Sequence, residues 1–211
     1  MNEPVHNSQL TTHNFPLVLA SSSPRRAEIL TSLGIPFTVD PADVAEDVRA
    51  GESAGDAASR LATEKAAVIS ARRPDAWVLA ADTLVVLDTE ILGKPRDDAD
   101  AARMLRRISG RAHRVVTAVR LRRGSGPRAQ VVAWSGVEIA PLSDSEIAWY
   151  VETGVPRDKA GAYAVQGLGA RFIEAVDGSY TNVMGLPARA VYRLMKDSGD
   201  PALARLVLPC A

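Results

Sequence analysis

Apolar positions along this chain alternate between continuous runs and helical stripes, and each kind predicts its own element. Positions 15–20, Phe-Pro-Leu-Val-Leu-Ala, form a short continuous run of the sort found in a buried strand. Ser21-Ser-Ser-Pro24 halts it, and Ser23 as N-cap with Pro24 at the first helical position predicts a helix start. Ala27, Leu30 and Leu33 line one face of that helix, Gly34 is a natural stop, and 35–39 resumes as a strand. A second helix is predicted over 53–72, where Ala54, Ala58, Leu61, Ala66 and Ile69 recur near helical spacing. Residues 77–87 are a second apolar run, interrupted by Asp82 and Thr83, and a helix over 97–107 ends at Ser109-Gly110.

Two further runs, 113–123 and 128–139, are separated by Gly124-Ser-Gly-Pro127, which predicts a long antiparallel hairpin. Ser143 with Glu146 three residues on forms a capping box that opens a helix over 143–152. Residues 153–186 are rich in glycine and polar side chains and carry few helix signals; a last helix is predicted over 187–196. No repeat, low-complexity tract or linker interrupts this order. Strand–helix–strand units plus a hairpin predict an α/β or α+β domain.

Composition narrows the class. The chain has 211 residues, 46% hydrophobic and 24% charged, enough to bury one core without disulfide or metal staples. Lys+Arg and Asp+Glu are 25 each, so the basic excess of a dedicated nucleic-acid binder is missing and any phosphate binding must be local. Cys210 is the single cysteine, which excludes a disulfide framework and points to a reducing, cytoplasmic setting. No apolar run approaches the ~20 residues that span a bilayer. Residues 1–14 are polar without the pattern of a signal peptide, and are expected to be a flexible extension ahead of a domain over 15–211.

Several segments could carry chemistry. Ser21-Ser-Ser-Pro-Arg-Arg26 sits at a strand-to-helix turn, where free N–H groups and the helix dipole favour anions and arginine forks onto phosphate oxygens. The same segment also fits a capped surface helix with two solvated arginines. Asp82 is a carboxylate in an otherwise apolar strand, a costly placement unless paired, bonded or on a metal; it could equally lie at a solvated strand end. Gly93-Lys94-Pro95 is not a P-loop, and Lys94 reads either as a phosphate contact or as an ordinary turn lysine. In Asp158-Lys-Ala-Gly-Ala-Tyr-Ala-Val-Gln166, small residues allow close approach and Gln166 offers a paired donor and acceptor, while loop packing explains the segment as well. His6, His13 and His113 have no metal-ligand spacing, and the arginines at 120, 122, 123 and 128 read as a solvated hairpin tip.

Taken in order, Leu19-Ala-Ser-Ser-Ser-Pro-Arg-Arg26, Leu61-Ala-Thr-Glu-Lys-Ala66, Ala81-Asp-Thr83 and Leu92-Gly-Lys-Pro95 resemble the Maf family of nucleoside triphosphate pyrophosphatases. The series continues with Ser109-Gly-Arg-Ala-His113 and Thr117, Asp158-Lys-Ala-Gly-Ala-Tyr163 and Asn182-Val-Met-Gly-Leu-Pro187, covering about residues 16–196. The resemblance implies one α/β domain, inosine triphosphatase-like, with a mixed, long-stranded twisted sheet flanked by helices around a deep cleft, commonly as a homodimer. It implies hydrolysis of a nucleoside triphosphate to monophosphate and pyrophosphate with a divalent cation, Mg²⁺ or Mn²⁺. By motif position Asp82 takes the catalytic place, and Ser21, Arg25, Arg26, Lys65 and Lys94 fall where the family contacts phosphates. Arg25, Thr83 and Gln166 match the branch acting on dTTP and UTP; the branch resembling a 7-methyl-GTP pyrophosphatase has Trp at the first place and Glu at the last. Where the family shows an acidic Asp-Val-Asp-Glu run, this chain reads Asp43-Val-Ala-Glu46, so Ala45 removes one acid and Glu46 remains as a second metal carboxylate beside Asp82.

Phosphoryl-type transfer is mostly positioning and charge neutralisation. The resemblance thus implies that Asp82, with Glu46, holds a hard cation or accepts the water proton, two roles that one carboxylate does not easily combine. Gln166 would read the pyrimidine edge. The contrasting expectation is a nucleotide-sensing protein that inhibits septum formation without turnover, or a house-cleaning enzyme for modified pyrimidine nucleotides. No nucleic-acid or membrane partner is expected.

Overall fold

A computed structural model describes residues 17–126 and 128–207, and for Arg128 the backbone alone. The expected extension over 1–14, Phe15 and Cys210 lie outside the described residues. The order begins β1 (Leu17–Leu19), α1 (Pro24–Ser32), β2 (Thr38–Val39), α2 (Ala54–Arg72), β3 (Trp77–Leu87), β4 (Glu90–Leu92) and α3 (Asp98–Ile108). It continues through β5 (Ala112–Arg123), β6 (Arg128–Ile139) and α4 (Asp144–Glu152) to three 3-10 turns at Val155–Asp158, Ala160–Ala162 and Gly167–Phe172. β7 (Ile173–Asp177), α5 (Tyr180–Val183), α6 (Ala188–Lys196) and α7 (Pro201–Arg205) complete it. Among the described residues no helix is long and apolar enough to cross a membrane.

The strands form one mixed sheet of seven, in the order β2-β1-β3-β5-β6-β7 with β4 on β3. β1 runs parallel to β2 and β3, while β3, β5, β6 and β7 are antiparallel in turn. The mixed, long-stranded sheet flanked by helices agrees with the fold expected from the sequence. The predicted hairpin is present, and its two long strands make β5 the spine of the sheet.

Alternation along β3 sorts the helices between two faces. Even positions Val78, Ala80, Leu84 and Val86 pack with α2, whose buried stripe of Ala54, Ala57, Ala58, Ala62 and Ala66 lets the helix lie close to the sheet. Odd positions face the other helices in two separate clusters. Leu79 and Ala81 pack with Ile29 and Leu30 of α1, Val191 and Met195 of α6 and Leu203 of α7. Val85 and Leu87 pack with Met104 and Leu105 of α3 and Ile147 and Tyr150 of α4.

Several local expectations need correction. The strand predicted over 35–39 shrinks to Thr38–Val39 because the Ile35 N–H is spent on the Leu30 carbonyl, closing α1 through Gly34 at φ +67°. Ser23 occupies the N-cap position, but its side chain makes no capping hydrogen bond. Two of the hairpin arginines are drawn in rather than solvated: Arg120 bonds Thr63 of α2 and Arg122 bonds the Gly124 carbonyl, whereas Arg123 stays exposed as expected while pairing with Asp200. For Arg120 and Arg122 tethering outcompetes full hydration because acceptors stand within reach of the long side chains.

Candidate active site

The sheet has a gap beside β3. β1 pairs with Trp77 to Leu79 and the Ala20 N–H reaches the Leu79 carbonyl, whereas β4 joins only at Val85. Across 80–84 the ladder continues on the β5 side alone. Asp82 and Thr83 stand in that gap and point to opposite faces of the sheet, yet both line the same cavity of about 300 Å³. Ser21, Arg25, Arg26, Glu46, Lys65, Lys94 and Gln166 line it too. Every candidate from the sequence is brought together there.

The charged side of the cleft is built on α2. Lys65 lies on the buried stripe of that helix and reaches across to Asp82 Oδ1 at 2.5 Å and Glu46 Oε1 at 2.6 Å. A lysine in this position must be paired, since an unpaired buried ammonium is very costly. Asp82 is 5% exposed. Burial holds its carboxyl above the ordinary value, against the opposing pull of Lys65 and Arg26. Burial also acts to raise Glu46, but the hydrogen bond from Lys65 and the charges of Lys65 and Lys94 outweigh it and hold Glu46 below its usual value. Lys94 is exposed and donates to Glu46 Oε2 at 3.2 Å. The sequence alternative of a solvated Asp82 at a strand end is thereby excluded.

The turn between β1 and α1 supplies the opposite wall. Ser21 Oγ accepts from the Ser23 N–H at 3.2 Å and from Arg26 Nη1 at 3.0 Å. Arg26 also donates Nε–H to the Gly185 carbonyl at 2.9 Å and Nη2–H to Thr83 Oγ1 at 3.1 Å. Burial lowers the pKa of this guanidinium, with the charges of Asp82 and Glu46 opposing. Gly185 has φ +111°, a backbone conformation that L side chains rarely adopt, so the turn that brings its carbonyl to Arg26 favours glycine. Arg25 pairs with Asp158 of the first 3-10 turn at 3.8 Å, across the mouth. With Pro24 at the first helical position and no side-chain cap, the first turn of α1 keeps main-chain donors for an anion.

The remaining side is uncharged. Val85, Val115 and Tyr163 belong to one core cluster with Val183 against it, and all four line the cavity beside half-buried Gln166. Tyr163 OH lies 2.7 Å from His113 Nε2, and burial alone pushes the imidazole down to about 4. Lys159, Tyr163 and Gly185 are cleft residues not singled out from the sequence, although each lies within a quoted motif.

Two carboxylate oxygens, Asp82 Oδ1 and Glu46 Oε1, converge on one cationic atom, and both are hard donors. Among the described residues no group of three or more His, Cys, Asp or Glu could hold a metal ion. The pair therefore suits a cation such as Mg²⁺ or Mn²⁺ that takes one or two carboxylates and completes its shell from substrate phosphates and water.

A cleft with a buried carboxylate, converging cations and an open helix N-terminus, set in a notched mixed sheet, is that of an α/β protein built for a polyanionic ligand. The Maf-like protein family model matches residues 16–198, and the chain belongs to that family. It is 47% identical over 185 residues to the dTTP/UTP pyrophosphatase of Koribacter versatilis, covering 87% of this chain and 94% of the relative. With the dTTP/UTP pyrophosphatase of Geobacter sulfurreducens it shares 51% identity over 173 residues, 81% of this chain and 90% of the relative. Among solved structures, the Staphylococcus aureus Ham1 protein aligns with 74% of this chain and 79% of its own, at 15% identity and a TM-score of 0.42.

Proposed function

We propose that this chain hydrolyses dTTP and UTP to the nucleoside monophosphate and pyrophosphate. The observation that carries this reading is Asp82: a buried carboxylate with Oδ1 held by Lys65, at the centre of a cleft whose rim is cationic. The relatives' names support the choice of nucleotide. A water attacks the α-phosphorus, its oxygen bonding to phosphorus as the bond to the bridging α–β oxygen breaks. Asp82 Oδ2 takes the water's proton, as a general base within the cleft. Lys65 fixes the carboxylate's orientation. Arg25, Arg26, Lys94, Ser21 and the first turn of α1 bind the β and γ phosphates and stabilise pyrophosphate as it leaves. Arg25 must exchange Asp158 for phosphate to do so.

Asp82 and Glu46 would hold Mg²⁺ or Mn²⁺, which supplies positive charge to the phosphate oxygens. Gln166, beside the uncharged wall, reads the base. The reading extends to a homodimer in the cytoplasm, which light scattering on the purified protein tests for its assembly state.

The decisive experiment measures pyrophosphate and monophosphate released from a panel of nucleoside triphosphates, canonical and modified, with Mg²⁺ or Mn²⁺. Turnover of dTTP and UTP is expected, and Asp82→Asn should reduce it by about 10²–10⁴-fold, the usual contribution of a positioned base. Nucleotide binding without turnover would sink the enzyme reading and favour a sensor acting on septum formation.

A further inference from the structure

A chain of hydroxyls runs behind the cleft wall. Thr117 of β5 is fully buried and stands opposite Thr83 in the ladder. Its Oγ1 lies 3.1 Å from the main-chain oxygen of Asn182 and 3.0 Å from Thr83 Oγ1. Asn182 is itself sealed from solvent, its side-chain amide donating to the Val115 carbonyl at 3.2 Å and to Ser135 Oγ at 3.0 Å.

Each hydroxyl has one hydrogen to give, so the chain has a direction. With Thr117 donating to Asn182, Thr83 donates to Thr117, and both bonds have ordinary lengths. In the reverse order the Thr83 hydrogen would have to reach the Gly185 carbonyl at 3.4 Å, an oxygen that already accepts Arg26 Nε–H at 2.9 Å. The first order makes two good bonds and the second makes one. In the favoured order Thr83 has no hydrogen left for the cleft. It accepts Arg26 Nη2–H and keeps a lone pair.

We propose that Thr117 is a specificity-determining positioning residue: by taking the Thr83 proton it makes Thr83 Oγ1 an acceptor-only group, which selects pyrimidine bases that present an N3–H. This rests on the pyrimidine triphosphatase reading above. Thr83 shares its face of β3 with Val85, and Thr117 shares its face of β5 with Val115, so the locked hydroxyl adjoins the uncharged wall where a base would lie. Uracil and thymine carry a hydrogen at N3; cytosine carries a lone pair there, which an acceptor-only oxygen repels. Gln166 cannot make that distinction alone, because its amide can turn over and exchange donor for acceptor. A hydroxyl fixed from behind can.

The test compares kcat/KM for UTP and CTP in the wild type, Thr117→Val, Thr117→Ser and Thr83→Val. The wild type should favour UTP. Thr117→Val frees the Thr83 hydroxyl to donate, and the UTP:CTP ratio should fall about tenfold, the worth of one hydrogen bond of the right polarity; Thr117→Ser should keep the ratio. A purely structural role would slow both substrates alike and leave the ratio unchanged, which overturns the proposal. Should Thr117→Val not fold, Thr83→Val carries the test, since deleting the acceptor must lower the same ratio. A wild type active on UTP and CTP alike sinks this inference alone; one inactive on every pyrimidine triphosphate sinks the pyrophosphatase reading with it.

Discussion

His113 shows how one buried side chain couples stability to pH. It is 3% exposed, its Nε2 meets Tyr163 and its Nδ1 has no partner among the described residues. An unfolded chain binds a proton on this ring near 6.5, while the folded chain refuses it until about 4. Between those values the unfolded state holds more protons, so the contribution is complete above 6.5 and is lost as pH falls. That interval corresponds to about 3 kcal/mol. Urea unfolding of wild type and His113→Asn between pH 7 and 4 should show the wild type losing about that much more. Lys65 was legible in outline at this scale, for it lies four residues after Leu61 and seven after Ala58, on the apolar stripe of α2. A cation on such a stripe demands an acid opposite, and Asp82 interrupting β3 was the acid to seek. The polarity of Thr83 was not legible, because it depends on Thr117, Asn182 and Gly185, which only the folded chain brings together.

Elements with strong local signals formed where the sequence put them, and weaker ones did not. Ser143 and Glu146 exchange both bonds of the expected capping box, so α4 starts as read. β4 was missed because it follows a tight Asp88-Thr89 turn with Asp88 at φ +56°, which lacks the Asn-Gly or Asp-Gly of a readable hairpin. α7 had its signal, Asp200 before Pro201, and Asp200 does accept from Ala202 and Leu203 N–H. The glycine-rich stretch held three short turns whose order is set by contacts rather than propensity. In the third, a Cβ on Gly169 would collide with the Ala164 carbonyl and the Tyr150 hydroxyl. Gly169→Ala should therefore destabilise the protein by about 3 kcal/mol, as overpacking against main chain does, and Gln166 at the start of that turn should lose its placement. Thermal melting and the KM for UTP report the two effects separately.

At the scale of the molecule, a chain of zero formal charge concentrates its cations where two helical clusters part. The acids of that region are already compensated by Lys65 and Lys94 without help from a metal. Chelation with EDTA should abolish pyrophosphate release and leave the melting temperature unchanged; a fall in melting temperature would show that the cation is structural. Adding Mg²⁺ and a slowly hydrolysed nucleotide should raise the melting temperature by mass action.

Both faces of β3 are apolar, with Ala80 and Leu84 on one and Ala81 and Val85 on the other. Hydrophobicity alone would hardly object if the strand slid along β5 by a single residue. Such a slip would turn every side chain to the wrong face, removing Asp82 from Lys65 and Thr83 from Arg26 and Thr117. What marks the correct stopping point is polar: an ion pair on one side and a hydroxyl pair on the other, set on adjacent residues. The groups that handle the nucleotide are thus also the notches of a key. A chain threaded one step out would be left with a buried ammonium and no acid to meet it, so misalignment and loss of activity are discouraged by the same two side chains.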